Sequence, residues 1–464
     1  MSNIRIGGET LEKRTSLQGF WSSRLAFILA VTGSAVGLGN IWKFPYIAGE
    51  YGGGAFVLMY LVFVFVIGLP TMMGEILIGR RGRRNPVATL EILGEEEANT
   101  RVWGWVGLMG VVAGIMILSY YSVVAGWALS YIGKAAQGMF TGSTETDVSN
   151  IFNGHVGNWK PMLGFHTLFM VMTVFVVARG VQRGLEQAVR ILMPALIVML
   201  LVLLVYAFKN GDFAAAVDYM FRPKMDQLNL EGALVALGHA LFTLSVGMGA
   251  VMAYGAYLPE DSNIGTTSVT VVIADTAIAL LAGLVIFPIV FANGLSPSGG
   301  PGLIFQSLPL AFGGMNGGVF FGTLFFILLS FAAWTSAIGL IEPAVAWMNE
   351  RFGIARNKTA MIIGLIIWSL GILSALSFNL LADVQTPFGS LFDMMDYITS
   401  NIMLPLGAFL IVVFAGWVMC RNSTFDELKM GSGLRFSLWR IAARYVAPVG
   451  IVLIFLTQLG VFDG

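Results

Sequence analysis

The chain has 464 residues, 57% of them hydrophobic and only 11% charged, with 26 Lys+Arg balanced by 26 Asp+Glu. Soluble domains carry about 25% charged residues, so this chain lacks the charge to solvate a water-facing fold, and its zero net charge gives no field for nucleic acid. Its 34 Phe exclude a disordered polymer, and a single cysteine, Cys420, excludes a disulfide framework.

What remains is an integral protein of a lipid bilayer. A helix needs about 20 apolar residues to cross a hydrocarbon core about 30 Å thick. Such windows lie at 24–46, 53–79, 103–134, 161–179, 184–208, 232–258, 265–293, 319–347, 359–379, 388–419 and 441–461, numbered spans 1 to 11. The expected fold is an all-α membrane protein with about eleven transmembrane helices. The first 20 residues are polar and lack the apolar core of a secretory signal, which predicts an untranslocated N-terminus.

Basic residues recur between alternate spans. Lys13, Arg14 and Arg24 precede span 1, and Arg80, Arg81, Arg83 and Arg84 follow span 2. Arg179 and Arg183 separate spans 4 and 5, Arg351, Arg356 and Lys358 separate spans 8 and 9, and Arg421, Lys429, Arg435 and Arg440 separate spans 10 and 11. All fall on one side, which the positive-inside rule makes cytoplasmic. The polar segment 138–160, nearly free of Lys and Arg, reads as an outside loop, and an odd span count puts the C-terminus outside.

Two spans contain segments that weaken a helix. Span 1 carries Gly33-Ser34-Ala35-Val36-Gly37-Leu38-Gly39-Asn40, and span 6 carries Thr243-Leu244-Ser245-Val246-Gly247-Met248-Gly249. Each interior Gly costs about 1 kcal/mol relative to Ala. Either stretch alone fits close helix packing by small residues equally well. Two interrupted segments in matching positions of two halves point instead to a transporter binding site, with freed carbonyls for a cation and helix N-termini for an anion.

The motifs carry a resemblance. Trp21-Ser22-Ser23-Arg24, GSAVGLGNIWKFPY at 33–46, EYGGGAF at 50–56, FTLSVGMGA at 242–250 and FAAWTSAIG at 331–339 resemble the neurotransmitter:sodium symporter family. The likeness extends from Trp21 to the end of span 10, and is nearest to bacterial eleven-span members that carry leucine and other hydrophobic amino acids. It implies a five-plus-five inverted repeat with helices 1 and 6 broken. A cytoplasmic segment 1–20 would precede a first repeat at 21–210 and a second at 211–420, and a loop with span 11 would occupy 421–464. It also implies sodium-driven amino-acid uptake in the plasma membrane.

Sodium takes hard oxygen ligands. The resemblance implies one site from the Ala35 carbonyl, the Asn40 amide oxygen, Thr243 and Asp275. A second would use the carbonyls of Gly33, Val36 and Ala332 with the hydroxyls of Thr335 and Ser336. Asp275 has no basic residue near it in sequence, and an ionisable group in mid-membrane is a functional hypothesis by default. A fixed carboxylate there would replace the chloride that some family members need, and Ala279 and His239 depart from the residues lining that family's chloride pocket, so no chloride requirement is expected. His239 itself reads as a hydrogen-bonded structural histidine ahead of a proton carrier.

A substrate carboxylate would meet the N–H groups of Leu38 and Gly39 and the Tyr121 hydroxyl. The amine would meet Ala35, Phe242, Thr243 and Ser245, and Ile117, Phe242, Ser245, Met248, Ser336 and Leu340 would surround the side chain. Monoamine carriers place Asp where Gly37 stands, so its absence favours a zwitterion. The apolar lining favours a hydrophobic L-amino acid, with glycine-like and taurine-like osmolytes as the second reading. By resemblance Lys43 and Asp396 form an outer gate, and Trp21, Tyr257 and Glu350 an inner one. The family's usual inner Arg is Gln18 here, which leaves Arg14 as the candidate substitute. Glu75 is expected to bond the unwound backbone.

Other classes have little support. A metallohydrolase helix needs His-Glu-x-x-His, whereas His155, His166 and His239 are scattered, and no phosphate-binding Gly-rich loop with Lys-Ser/Thr is present. A channel or substrate sensor on the same fold is distinguished only by measuring coupled transport.

Overall fold

The computed structural model describes residues 5–6, 9–10, 14–224, 229–297, 302–430, 433–458 and 461. Lys13 and residues 459–460 of expected span 11 lie outside the described residues. Apart from a two-rung antiparallel ladder, Arg5–Ile6 against Glu9–Thr10, the described architecture is helical.

Nine spans are helices long and apolar enough to cross a membrane, among the described residues: Gly54–Gly82, Gly104–Ala136, Trp159–Ala178, Val181–Asn210, Ile264–Ala292, Gly318–Phe352, Arg356–Leu376, Leu391–Val418 and Gly433–Thr457. The other two are interrupted where the glycines predicted. Span 1 is Arg24–Ala35 followed by Gly39–Glu50, bent by 52°. Span 6 is Leu230–Thr243 followed by Ala250–Ala256, with residues 244–249 between them.

Prolines account for a second irregularity. The π-helical turns Gly39–Lys43, Val64–Gly68, Leu303–Ser307, Ile398–Met403 and Ala442–Val446 each have a proline as the second residue after them: Pro45, Pro70, Pro309, Pro405 and Pro448. A proline ring clashes with the carbonyl one turn back and cannot donate to it. The widened turn makes room for the ring and keeps the span continuous.

Spans 3 and 8 pack along each other, and the second half of span 6 packs on span 2. The second contact is backbone to backbone: a Cβ on Gly79 would lie 2.0 Å from the Met252 carbonyl oxygen. Small residues serve this purpose in membrane interiors, where close approach supplies the packing energy.

All five basic clusters gather at one end, called here the N-terminal rim. Arg14 pairs with Glu96, Arg84 donates to the Thr15 carbonyl at 2.6 Å, Arg80 pairs with Glu427 at 2.5 Å, and Arg356 donates to the Val177 carbonyl at 3.0 Å. At the far rim the predicted loop 138–160 contains a helix, Glu145–Val156, with Thr144 and Asp147 forming its capping box. A second unpredicted element, Leu303–Gly314, inserts Phe305 among Trp127, Tyr131 and Trp42 and seals that end.

Candidate ion and substrate site at the two helix breaks

The breaks in spans 1 and 6 face each other. Val36 leaves helical geometry at ψ 102°, and span 6 is opened by positive φ at Ser245 (53°), Gly247 (92°) and Gly249 (75°). Glycine takes this region freely, whereas Ser245 is held in it at a cost of about 1–3 kcal/mol. Two bonds fix the opened backbone. The Ser245 hydroxyl donates to the Ser34 carbonyl at 3.1 Å, and the Gly247 N–H donates to Glu75 Oε1 at 2.5 Å.

Asp275 of span 7 lies fully buried beside both breaks. Asn40 Nδ2 donates to Asp275 Oδ1 at 2.8 Å, and the Thr243 hydroxyl donates to Oδ2 at 3.1 Å. Among the described residues no cationic side chain pairs with this carboxylate. A buried charge without a partner is costly, so this carboxylate calls for a cation or a proton to complete it. Asn40 departs from expectation in its orientation. Its oxygen accepts from the Gly37 N–H at 3.1 Å, and its nitrogen faces Asp275. Half a turn of the amide exchanges the two atoms and presents oxygen to a cation held by Asp275. Ala35 ends the first half of span 1 next to this cluster.

The five residues of the expected second site also converge. The Ser336 hydroxyl donates to the Val36 carbonyl at 3.1 Å and the Gly33 carbonyl at 3.4 Å, joining span 8 to span 1. Thr335 donates to the carbonyls of Ala332 and Phe331 at 3.0 and 3.2 Å. These carbonyl and hydroxyl oxygens form a neutral, hard donor set.

Between the two clusters the Leu38 N–H donates to the Tyr121 hydroxyl at 3.3 Å. A Cβ on Gly37 would fall 2.3 Å from Ser336 Oγ and 2.8 Å from Tyr121 Oη, so no side chain fits there unless these move. Gly39 meets the Phe242 ring at 3.1 Å in the same sense. Ile117, Met248, Ser245 and Leu340 are all buried around this point. Two further residues, absent from the sequence expectation, shape it. A Cβ on Gly110 would lie 3.0 Å from the Met248 carbonyl carbon, and one on Gly114 would lie 2.9 Å from the Leu340 carbonyl oxygen. Their four-residue spacing on one face of span 3 was the available signal.

The outer gate is not the expected ion pair. Lys43 Nζ sits 4.7 Å above the Phe242 ring, and no ion pair joins it to Asp396 among the described residues. Asp396 instead accepts from the hydroxyls of Tyr120 at 3.0 Å and Ser400 at 2.8 Å. A lysine offers one point charge without the guanidinium fork, and the aromatic face satisfies it. Tyr120, which carried no expectation from sequence, is thus the partner of the Asp396 carboxylate.

The inner gate is also rebuilt. Trp21 packs on Tyr257 at 6.2 Å and donates its backbone N–H to the Tyr257 carbonyl at 3.0 Å. The Tyr257 hydroxyl donates to Glu342 at 2.9 Å, and Arg356 grips the same carboxylate with both terminal nitrogens. Arg356 also donates to Gln18 Oε1 at 3.0 Å. Arg14 does not substitute for the missing arginine, because Glu96 holds it. Glu350 accepts from the Asn85 N–H at 2.9 Å and from Gln18 Nε2 at 3.3 Å, with no cation among the described residues. The buried ion pair at the expected inner gate is Arg356–Glu342; in sequence Arg356 serves as a topology signal and Glu342 carries no expectation.

His239 differs from expectation too. Neither ring nitrogen has a hydrogen-bond partner in the described structure, and the imidazole packs among Phe44, Tyr60 and Phe242.

A bundle of membrane-length helices with two interrupted spans meeting at a buried carboxylate has the architecture of a membrane carrier. The chain belongs to the sodium:neurotransmitter symporter family, whose sequence profile matches residues 18–144 and 152–463. It is a sodium-dependent transporter and not an enzyme. It is 36% identical to YhdH, a sodium-dependent transporter of Bacillus subtilis, over 96% of this chain and 98% of that one. It is 27% identical to the mouse sodium-dependent neutral amino acid transporter SLC6A17, over 62% of this chain and 44% of that one. Among solved structures it resembles MhsT in complex with L-phenylalanine. The TM-score is 0.88 at 42% identity, covering 95% of this chain and 99% of that one.

Proposed function

We propose that the protein imports a hydrophobic L-amino acid across the plasma membrane, driven by two sodium ions and independent of chloride. The N-terminal rim is then cytoplasmic and the C-terminus outside, in keeping with the basic residues gathered on that rim. The observation that carries the reading is Asp275, a buried carboxylate bonded at once to Asn40 of span 1 and Thr243 of span 6. A cation seated there ties the two breaks together and lends positive charge to the place where a substrate carboxylate would meet the Leu38 N–H and the Tyr121 hydroxyl. Ionised beside a bound cation, the Asp275 carboxylate does the work a chloride ion would otherwise do. The apolar lining by Ile117, Met248 and Leu340, and the phenylalanine bound to MhsT, support a hydrophobic side chain.

Sodium binding couples to transport when it favours the state in which both breaks are closed around substrate. In this arrangement the N-terminal rim is shut by Trp21, Tyr257, Glu342 and Arg356. A cavity of about 210 Å³ at the far rim is lined in part by Phe242 and Lys43. A thermal-shift screen of the twenty amino acids, with sodium and with potassium, tests the substrate class. Stabilisation by leucine, phenylalanine or their kind in sodium alone is expected. Response only to glycine or taurine contradicts it.

A further inference from the structure

We propose that a groove on the membrane face of span 5, at the far rim, binds one anionic phospholipid. The groove encloses about 540 Å³. Its floor is Val198, Leu201, Val202 and Val205, spaced as one helical stripe and each roughly half exposed. Its wall is Phe321, stacked on Tyr206 with ring centroids 3.8 Å apart. Its upper end is Lys209, beside Asn210.

The dimensions match one leaflet. From Val198 to Lys209 the helix rises about 16 Å at 1.5 Å per residue. Half of a hydrocarbon core about 30 Å thick is nearly the same length. The apolar stripe therefore accommodates an acyl chain, and Lys209 stands at the depth of the phosphate.

The charge selects the headgroup. Lys209 is exposed and forms no ion pair among the described residues. Asp212, the nearest acidic residue in sequence, is engaged as the cap of helix Phe213–Phe221, where it accepts from the Ala215 N–H at 3.0 Å. A phosphate oxygen completes the Lys209 ammonium through a charge-assisted hydrogen bond, and a headgroup without an ammonium of its own leaves that phosphate charge uncompensated for Lys209, whereas choline competes for it. Bare apolar helix surface accepts any lipid tail; here the tail lies beside the stacked rings of Tyr206 and Phe321 while Lys209 meets the headgroup.

The groove also lies at a joint. The Tyr206 hydroxyl donates at 3.0 Å to the carbonyl of Asn316, in the turn linking the sealing element Leu303–Gly314 to span 8. A bound lipid braces that turn against span 5.

The full-length protein in detergent is titrated with phosphatidylglycerol, phosphatidylcholine and sn-glycerol 3-phosphate while its melting is followed. Phosphatidylglycerol is expected to raise the melting temperature saturably, and the other two to leave it nearly unchanged. Lys209→Ala, at an exposed position, is expected to weaken the phosphatidylglycerol response by about tenfold in half-saturating concentration. Val202→Trp fills the groove and is expected to abolish the response while melting as the parent does without lipid. Equal stabilisation by the two phospholipids, a full response to glycerol phosphate, or a Lys209→Ala titration identical to the parent overturns the proposal.

Discussion

Arg356 and Glu342 form a forked ion pair beneath Tyr257, the arginine opening span 9 and the glutamate buried within span 8. The pair closes the N-terminal rim and shares its carboxylate with the tyrosine hydroxyl at 2.9 Å. Removing one partner of a buried pair costs about 3–5 kcal/mol, because the other charge is left without compensation. Arg356→Gln is therefore expected to open this rim: hydrogen exchange at residues 14–22 rises, and uptake falls at least tenfold. Combined with Glu342→Gln, which removes the stranded carboxylate, part of the protection returns. Unchanged exchange in Arg356→Gln contradicts the gate.

Asp275→Asn removes the fixed charge beside Asn40 and Thr243 while keeping its shape. Sodium affinity is expected to fall at least tenfold, equivalent to about 1.4 kcal/mol. Added chloride is expected to recover part of the loss, since it can supply the missing negative charge. Sodium titrations by thermal shift in chloride and in gluconate measure both effects.

Gly37→Ala places a methyl group 2.3 Å from Ser336 Oγ. The clash lies within the site, where span 1 meets the packed spans 3 and 8. Substrate binding is expected to fall more than tenfold, whereas the overpacking lowers stability without ligand by about 1–3 kcal/mol and leaves the fold intact. A scintillation-proximity assay with a labelled amino acid separates the two readouts.

Lys43→Arg places a longer guanidinium fork above Phe242, and the carboxylate it would compete for is the one Tyr120 and Ser400 now hold. A new pair with Asp396 is expected to slow opening of the far rim. Substrate dissociation then slows severalfold, and turnover falls with it. Faster dissociation is the contrary result.

The spans and the two breaks were legible because both rest on local rules: apolar length and glycine density. The Asp275 cluster was legible because a lone acid in an apolar run is expensive wherever it lands. The gates were harder to read, since their partners are chosen by packing across distant segments. Gln18 showed that an arginine was missing. Its replacement, Arg356, stood in a basic cluster that served equally well as a topology signal. The clue was Glu342, a second acid inside an apolar helix, whose burial requires a cation from elsewhere. The Lys43 contact could not be read from sequence for a different reason. A lysine beside an aromatic ring and one beside a carboxylate look alike until the Phe242 ring is placed. The helices at 145–156 and 303–314 were obscured by their polar or short sequences, below the length that marks a span.

The central claim is tested most directly by uptake into proteoliposomes. Labelled leucine or phenylalanine is supplied outside with an inward sodium gradient, once with chloride and once with gluconate throughout. The account predicts sodium-dependent accumulation above the external concentration, undiminished in gluconate and lost in Asp275→Ala. Accumulation that ignores sodium, or that collapses when chloride is replaced, would contradict it.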